Sequence, residues 1–150
     1  MSQVLENVYI SGVDEMAKLS KNMKKLGISY IVSCVPKESV RDYHNYVVKH
    51  NPNIVILHLP MDDTLSQNLF TKSSDGKYYP DIAYNFIERA RMTGGNTLVH
   101  CHAGISRSVS MVIYYMMKKY KYSYEEALSN IRMKRPIANP NPNFARQLKK

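Results

Sequence analysis

Three short apolar runs constrain this chain more than any other feature: Ile28–Cys34 (ISYIVSC), Asn53–Leu59 (NIVILHL) and Thr97–His100 (TLVH). Each is rich in β-branched residues and has strand rather than helix length. The segments between them are too long for hairpin turns and carry helical periodicity, so the economical connection is a crossover between parallel strands. A further short strand is read at Val8-Tyr9-Ile10. Met16, Leu19, Met23 and Leu26 form one helical stripe that ends at Gly27, with Ser11 and Asp14 at cap spacing before it. Pro36–His50 reads as one irregular helix. Tyr79–Met92 places Ile82, Phe86 and Ala90 on one face before Gly94-Gly95 stops it. Val109–Met117 reads as a largely buried helix. Ser123 and Glu126 form a capping box for the next, which ends near Arg135-Pro136, and a last short helix starts at about Asn143. The expected architecture is α/β, with a central, mostly parallel mixed sheet of four or five strands flanked by helices. One domain spanning 1–150 accounts for the length.

Composition narrows the class. With 44% hydrophobic residues, disorder is not expected. Two cysteines, Cys34 and Cys101, with no CxxC pair, provide neither a disulfide framework nor a structural zinc site. The most apolar stretch, Val109–Met117, falls well short of the ~20 residues that cross a bilayer. The first residues, Met1-Ser2-Gln3-Val4-Leu5-Glu6, lack the pattern of a signal peptide. The expectation is a soluble protein of the cytoplasm or the nucleus. Lys and Arg total 21 against 12 Asp and Glu, a formal +9 that suits nucleic acid, a membrane surface or a phosphorylated substrate. The basic residues are spread along the chain, as on solvated helix faces.

The chemistry concentrates in His100-Cys101-His102-Ala103-Gly104-Ile105-Ser106-Arg107-Ser108, which runs from a buried strand into a buried helix. Such a junction turns successive backbone N–H groups and the positive end of a helix dipole into one concavity, a nest for an oxyanion. Gly104 permits the sharp turn, and Arg107 supplies a planar fork matched to phosphate oxygens. Cys101 at the mouth of that positive nest is placed to act as a thiolate nucleophile towards bound phosphate. A lone cysteine at a strand end is ordinarily a small core residue. Here Gly at +3, Arg at +6 and Ser at +7 argue for chemistry instead. Upstream, residues 60–77 are polar and read as a long surface loop.

HCHAGISRS resembles the HCxxGxxRS signature of the cysteine-dependent protein tyrosine phosphatase superfamily, specifically its dual-specificity branch in its small, catalytic-domain-only form. VYISG with KKLGISYIVSC is similar to that family's opening, and IRMKRPIANPNPNFARQL to its closing segment, so the resemblance covers nearly the whole chain. It implies a protein-tyrosine-phosphatase-like fold and hydrolysis of phosphotyrosine and phosphoserine or phosphothreonine through a phosphocysteine on Cys101. Arg107 and the amides of His102, Ala103, Gly104, Ile105 and Ser106 would bind the phosphate. Asp63, in Leu59-Pro60-Met61-Asp62-Asp63-Thr64, matches the general acid and then base; Asp62 lies one residue early. Ser108 would stabilise the leaving sulfur, or cap the following helix. His100 would order the loop, and Asn141 would support it. Cys34 matches a position where some relatives carry a redox partner for the nucleophile; the ordinary reading is a buried thiol. Neither metal nor cofactor is implied. Phosphorylated proteins are the expected partners, with the chain a monomer or weak dimer.

Two departures stand out. Residues SSDGKYY, from Ser73, are extra where many relatives enter a helix directly, and no phosphotyrosine-recognition loop deepens the site, which favours a shallow one of dual specificity. An RNA 5′-end or phosphoinositide phosphatase on the same fold is the alternative enzyme. The loop lacks the Asn-Arg-Thr run of the former and the lysines of the latter, which also makes nucleic acid an unlikely partner. A non-catalytic phosphoprotein scaffold is the alternative from another class.

Overall fold

A computed structural model describes residues 1–150. Five strands form one sheet in the order β1-β2-β5-β3-β4, comprising β1 (Ser2–Leu5), β2 (Val8–Ser11), β3 (Ile28–Ser33), β4 (Val55–His58) and β5 (Asn96–His100). β1 pairs antiparallel with β2, while every other neighbouring pair is parallel. The α/β architecture matches the expectation. β1 was not anticipated: SQVL has the length of a turn, and its strand character comes from pairing with β2.

Helices α1 (Val13–Lys18) and α2 (Arg41–His50) pack on one face, where Met16, Met23, Ile31, Val47 and Leu98 form a small core. On the other lie α3 (Tyr79–Met92), α4 (Arg107–Tyr120), α5 (Tyr124–Lys134) and α6 (Pro142–Lys149), around a core of 28 buried residues. Both faces of β5 are thus covered, which is why its apolar run is continuous rather than alternating.

The stripe read as a single helix from Met16 to Leu26 is instead α1, a 3-10 turn at Ser20–Asn22 and further turns up to Gly27, whose φ is +72°. Ser20 is buried and its carbonyl accepts the Asn51 side-chain amide at 2.7 Å, tying the chain to the end of α2. Met16 and Met23 are fully buried and Leu19 and Leu26 half-buried, as one apolar stripe requires, but the chain meets that requirement in turns rather than in a continuous helix. The cap also moves by one residue. Ser11 ends β2, and Gly12 caps α1 with its N–H donated to the Glu15 carboxylate at 3.0 Å. Pro36–His50 divides into a 3-10 turn at Lys37–Ser39 and α2. The Ser123–Glu126 capping box forms as read.

Strand register positions the site. Ser11 and Ser33 both lie opposite His100, and His58 lies opposite Ser33, so four parallel strands end level. The loop leaving the central strand β5 therefore emerges between the ends of β2 and β3, with the segment after β4 one strand further out.

Candidate active site

The Cys101–Ser106 loop wraps the end of β5 and enters α4 at Arg107. Cys101 is only 2% exposed. Its Sγ lies 3.2 Å from the Ser108 hydroxyl and accepts the Gly104 N–H at 3.3 Å. A hydroxyl and an amide N–H thus converge on the sulfur at the N-terminus of a fourteen-residue helix. Ser108 does not cap that helix, because it lies inside the first turn; the cap position is Ser106.

Gly104 has φ +69°, and a Cβ there would fall 2.5 Å from the Arg135 guanidinium and 2.7 Å from the Ser11 carbonyl carbon, so no larger residue fits. Arg135, 4% exposed, donates to the carbonyls of Gly104 at 2.8 Å and Ala103 at 3.3 Å, and pairs with Glu15 at 2.7 Å. Holding those carbonyls outward leaves the neighbouring amides to turn inward. Sequence reasoning missed Arg135 and Glu15. Arg135 was legible only as a basic residue in the closing segment, while Glu15 reads as an ordinary first-turn acid. Burial disfavours the Glu15 charge, but hydrogen bonds from Arg135, the N-terminal ammonium and Gly12 outweigh it and lower its pKa to about 2.

Arg107 donates one guanidinium N–H to the Met61 carbonyl at 3.0 Å, and its buried Nε has no protein partner. A buried guanidinium N–H left unpaired at the head of an amide-lined loop is suited to a phosphate oxygen. The bond to Met61 also ties the loop to the segment bearing Asp62 and Asp63. Asp63 Oδ1 accepts the Asn141 side-chain amide at 2.7 Å, and the same amide reaches the Thr64 carbonyl at 3.2 Å. The carboxylate of Asp62 has no hydrogen bond; its backbone N–H donates to Gln67 Oε1 at 2.9 Å. From α6, Asn143 donates to the carbonyls of Thr64 at 3.2 Å and Gln67 at 2.7 Å, and Gln147 to the Gln67 carbonyl at 3.1 Å. Asn141 thus does more than sit near the phosphate loop. It caps α6, accepting the Phe144 N–H at 2.9 Å, and grips Asp63.

His102 and Ala103 form the exposed rim, and the Ile105 carbonyl accepts the Asn139 N–H at 2.8 Å. The Ser106 hydroxyl accepts the Asn141 N–H at 2.9 Å, so its side chain joins the loop to α6 and only its amide is available to a ligand. His100 is fully buried, with Nδ1 3.3 Å from the Cys101 carbonyl. Burial above all, with His44, His58 and Arg107 nearby, lowers its pKa to about 3 despite that contact, so it is neutral at physiological pH. The rings of His58 and His100 each meet His44 edge-on at 5.8 Å between centroids. Cys34, just past β3, donates its N–H to the His100 carbonyl at 2.9 Å, which brings its backbone within one residue of Cys101. Both thiols are free, and burial pushes the Cys34 thiol far above its usual range. No cluster of three or more His, Cys, Asp or Glu side chains is placed to hold a metal ion. No helix is long and apolar enough to cross a membrane.

A cysteine whose sulfur accepts a loop amide at a helix start, with an arginine of that helix tied to the segment bearing Asp62 and Asp63, is the arrangement of a cysteine-dependent phosphatase. The comparisons with known proteins go one step further. The dual specificity phosphatase catalytic domain matches residues 8–150, and the chain belongs to that family of protein phosphatases. A protein of Acanthamoeba polyphaga mimivirus that carries a tyrosine-protein phosphatase name is 39% identical over 173 residues, covering 99% of this chain and 82% of that protein. The crystal structure of DUSP15 superposes with a TM-score of 0.78 at 32% identity, covering 99% of this chain and 85% of that one. The human tyrosine phosphatase-like serine/threonine/tyrosine-interacting protein superposes at 0.81 with 26% identity, covering 99% and 92%.

Proposed function

We propose that the protein hydrolyses phosphotyrosine and phosphoserine or phosphothreonine in protein substrates through a phosphocysteine formed on Cys101. The observation that carries this reading is the convergence of the Ser108 hydroxyl and Gly104 amide on Cys101 Sγ, beside the unpaired Nε of Arg107. The Cys101 thiolate attacks phosphorus while loop amides and Arg107 hold the non-bridging oxygens and offset their charge. Protonated Asp63 gives its proton to the departing oxygen of the substrate side chain. Asp63, now a carboxylate, then takes a proton from the water that attacks the phosphocysteine. The S–P bond breaks, inorganic phosphate forms, and the Ser108 O–H and Gly104 N–H stabilise the returning thiolate.

The human neighbour named for its interactions raises the scaffold alternative, but a chain that only captured phosphoproteins would need neither Cys101 nor a gripped Asp63. Cys101→Ser is expected to abolish hydrolysis of p-nitrophenyl phosphate while leaving vanadate or phosphate binding measurable. Full turnover in that variant would sink the covalent mechanism. Parallel assays of a phosphotyrosine peptide, a triphosphate-ended RNA and an inositol lipid separate the protein substrate from the other two; a clear preference for either would replace the present reading. Residence in the cytoplasm, with the nucleus as a second compartment, is supported by the pair of free thiols and is tested by imaging a tagged chain in its host.

A further inference from the structure

The residues that depart from the family pattern fold as a tight turn. Lys72 bridges Tyr78, Ser73 N–H meets the Lys77 carbonyl at 2.8 Å, and Gly76 takes φ +82°. Between this turn, the edge of β4 and α3 lies a groove of about 520 Å³, and no residue of the Cys101 loop lines it. Its floor is apolar, formed by Leu57, Leu59, Ile82 and Phe86, and Lys77 and Arg89 line it without an ion pair. Asp75, the one acid in the lining, is already engaged by the Ser73 hydroxyl and the Lys77 N–H within the turn.

β4 is the sheet's outer strand on this side and pairs only with β3. Leu59 N–H donates inward to the Ser33 carbonyl at 2.8 Å. Strand alternation therefore points the N–H and C=O of Ile56 and His58 away from the sheet, where no backbone group meets them. The same strand leads directly into Pro60-Met61-Asp62-Asp63.

We propose that this groove docks an extended acidic segment of the phosphoprotein substrate, which adds to β4 as a further strand. This inference rests on the protein phosphatase reading. Outward main-chain groups on an edge strand recognise an extended chain, and alternate side chains of that chain would fall on the apolar floor. Lys77 and Arg89 select for acidic residues at the remaining positions. A segment held there lies on the sheet edge that carries the acid loop, so docking delivers the phosphorylated residue towards Cys101. A second copy of the chain, paired edge to edge, would bring the same cations into play on both sides without an acidic counterpart.

The test uses three phosphotyrosine peptides: a short one, one extended on both sides by alternating Glu and Val, and one extended by alternating Lys and Val. The Glu/Val peptide is expected to show a lower KM than the other two, with kcat unchanged. Lys77→Glu/Arg89→Glu should raise its KM about fivefold or more and leave p-nitrophenyl phosphate kinetics unaltered. Ile56→Pro deletes one outward N–H and should act in the same direction; should it fail to fold, the charge-reversed pair decides. An unphosphorylated Glu/Val peptide should shift the amide resonances of Ile56 and His58 in an NMR titration. Equal KM values for the extended peptides, or an unchanged KM in the charge-reversed variant, overturns the proposal. So do Ile56 and His58 amides that respond only to protein concentration, which would indicate pairing of two copies. If no phosphopeptide is hydrolysed and yet the unphosphorylated peptide still shifts those amides, the phosphatase reading fails and the groove stands.

Discussion

At the scale of single residues, Cys101 and the hydroxyl and amide that meet its sulfur dominate. Ser108→Ala removes one of them, and its expected effect falls on the second step, where sulfur leaves as thiolate. Rapid-mixing assays with p-nitrophenyl phosphate should show a burst followed by a steady rate lower by about 10- to 100-fold, with phosphoenzyme accumulating. A uniform loss without a burst would assign Ser108 to the first step or to folding. Asp63 and Asp62 are distinguished by their surroundings, since Asn141 grips only the former. Asp63→Asn should lower kcat for phenyl phosphate by about 10²- to 10⁴-fold and far less for a substrate with a well-stabilised leaving group. Asp62→Asn should change little; the opposite ranking moves the acid to Asp62. Cys101, Gly104, Arg107 and Ser108 were all legible in the sequence because one local turn contains them. The Arg135–Glu15 brace was not, because its members lie 120 positions apart in sequence.

At the scale of elements, α6 determines how the Asp63 segment is held. Its side-chain amides Asn141, Asn143 and Gln147 hold the carbonyls of Thr64 and Gln67 and the Asp63 carboxylate, more than 75 residues away in sequence. Asn143→Ala with Gln147→Ala should loosen that loop while leaving the Cys101 loop intact. The expected signature is a kcat that falls with poor leaving groups and holds with good ones, measured across a series of aryl phosphates. A uniform fall would mean the double substitution disturbs the phosphate nest instead. The sequence announced α6 through its Pro-rich lead-in, but such a local signal carries no information about which carbonyls its polar side chains will meet. The broken helix before Gly27 makes the same point: Met16 and Met23 are buried as their spacing required, while the chain after α1 runs in turns, where the Ser20 carbonyl meets the Asn51 amide.

At the scale of the whole molecule, the half-buried His44 and the buried His100 couple stability to pH. His44 has its pKa lowered to about 4, mainly by burial and then by His58, and His100 to about 3. Each titrates in the unfolded chain near the ordinary 6.5, so the unfolded state binds more protons below that value. Their contribution is complete above pH ~6.5 and is lost as pH falls towards 4. Glu15, also lowered, extends the loss through the range from 4.5 down to about 2. Thermal melts should show the midpoint falling steadily between pH 7 and pH 5. His44→Gln should flatten that slope; an unchanged slope would show that His44 binds its proton equally well in the folded and unfolded chain.

The sequence by itself determined the α/β order of elements and the strand-loop-helix junction that gathers Cys101, Gly104, Arg107 and Ser108. Both arise from residues close together along the chain, where hydrophobic period, turn chemistry and helix dipole act locally. Only the tertiary structure decided that β1 would extend the sheet, that Glu15 and Arg135 would brace the nest, and that α6 would grip the acid loop. It also placed the extra turn beside the β4 edge, with Lys77 and Arg89 unpaired in one groove. These depend on which distant groups share a strand end or a helix face. That is set by sheet order and register, and no local pattern encodes it.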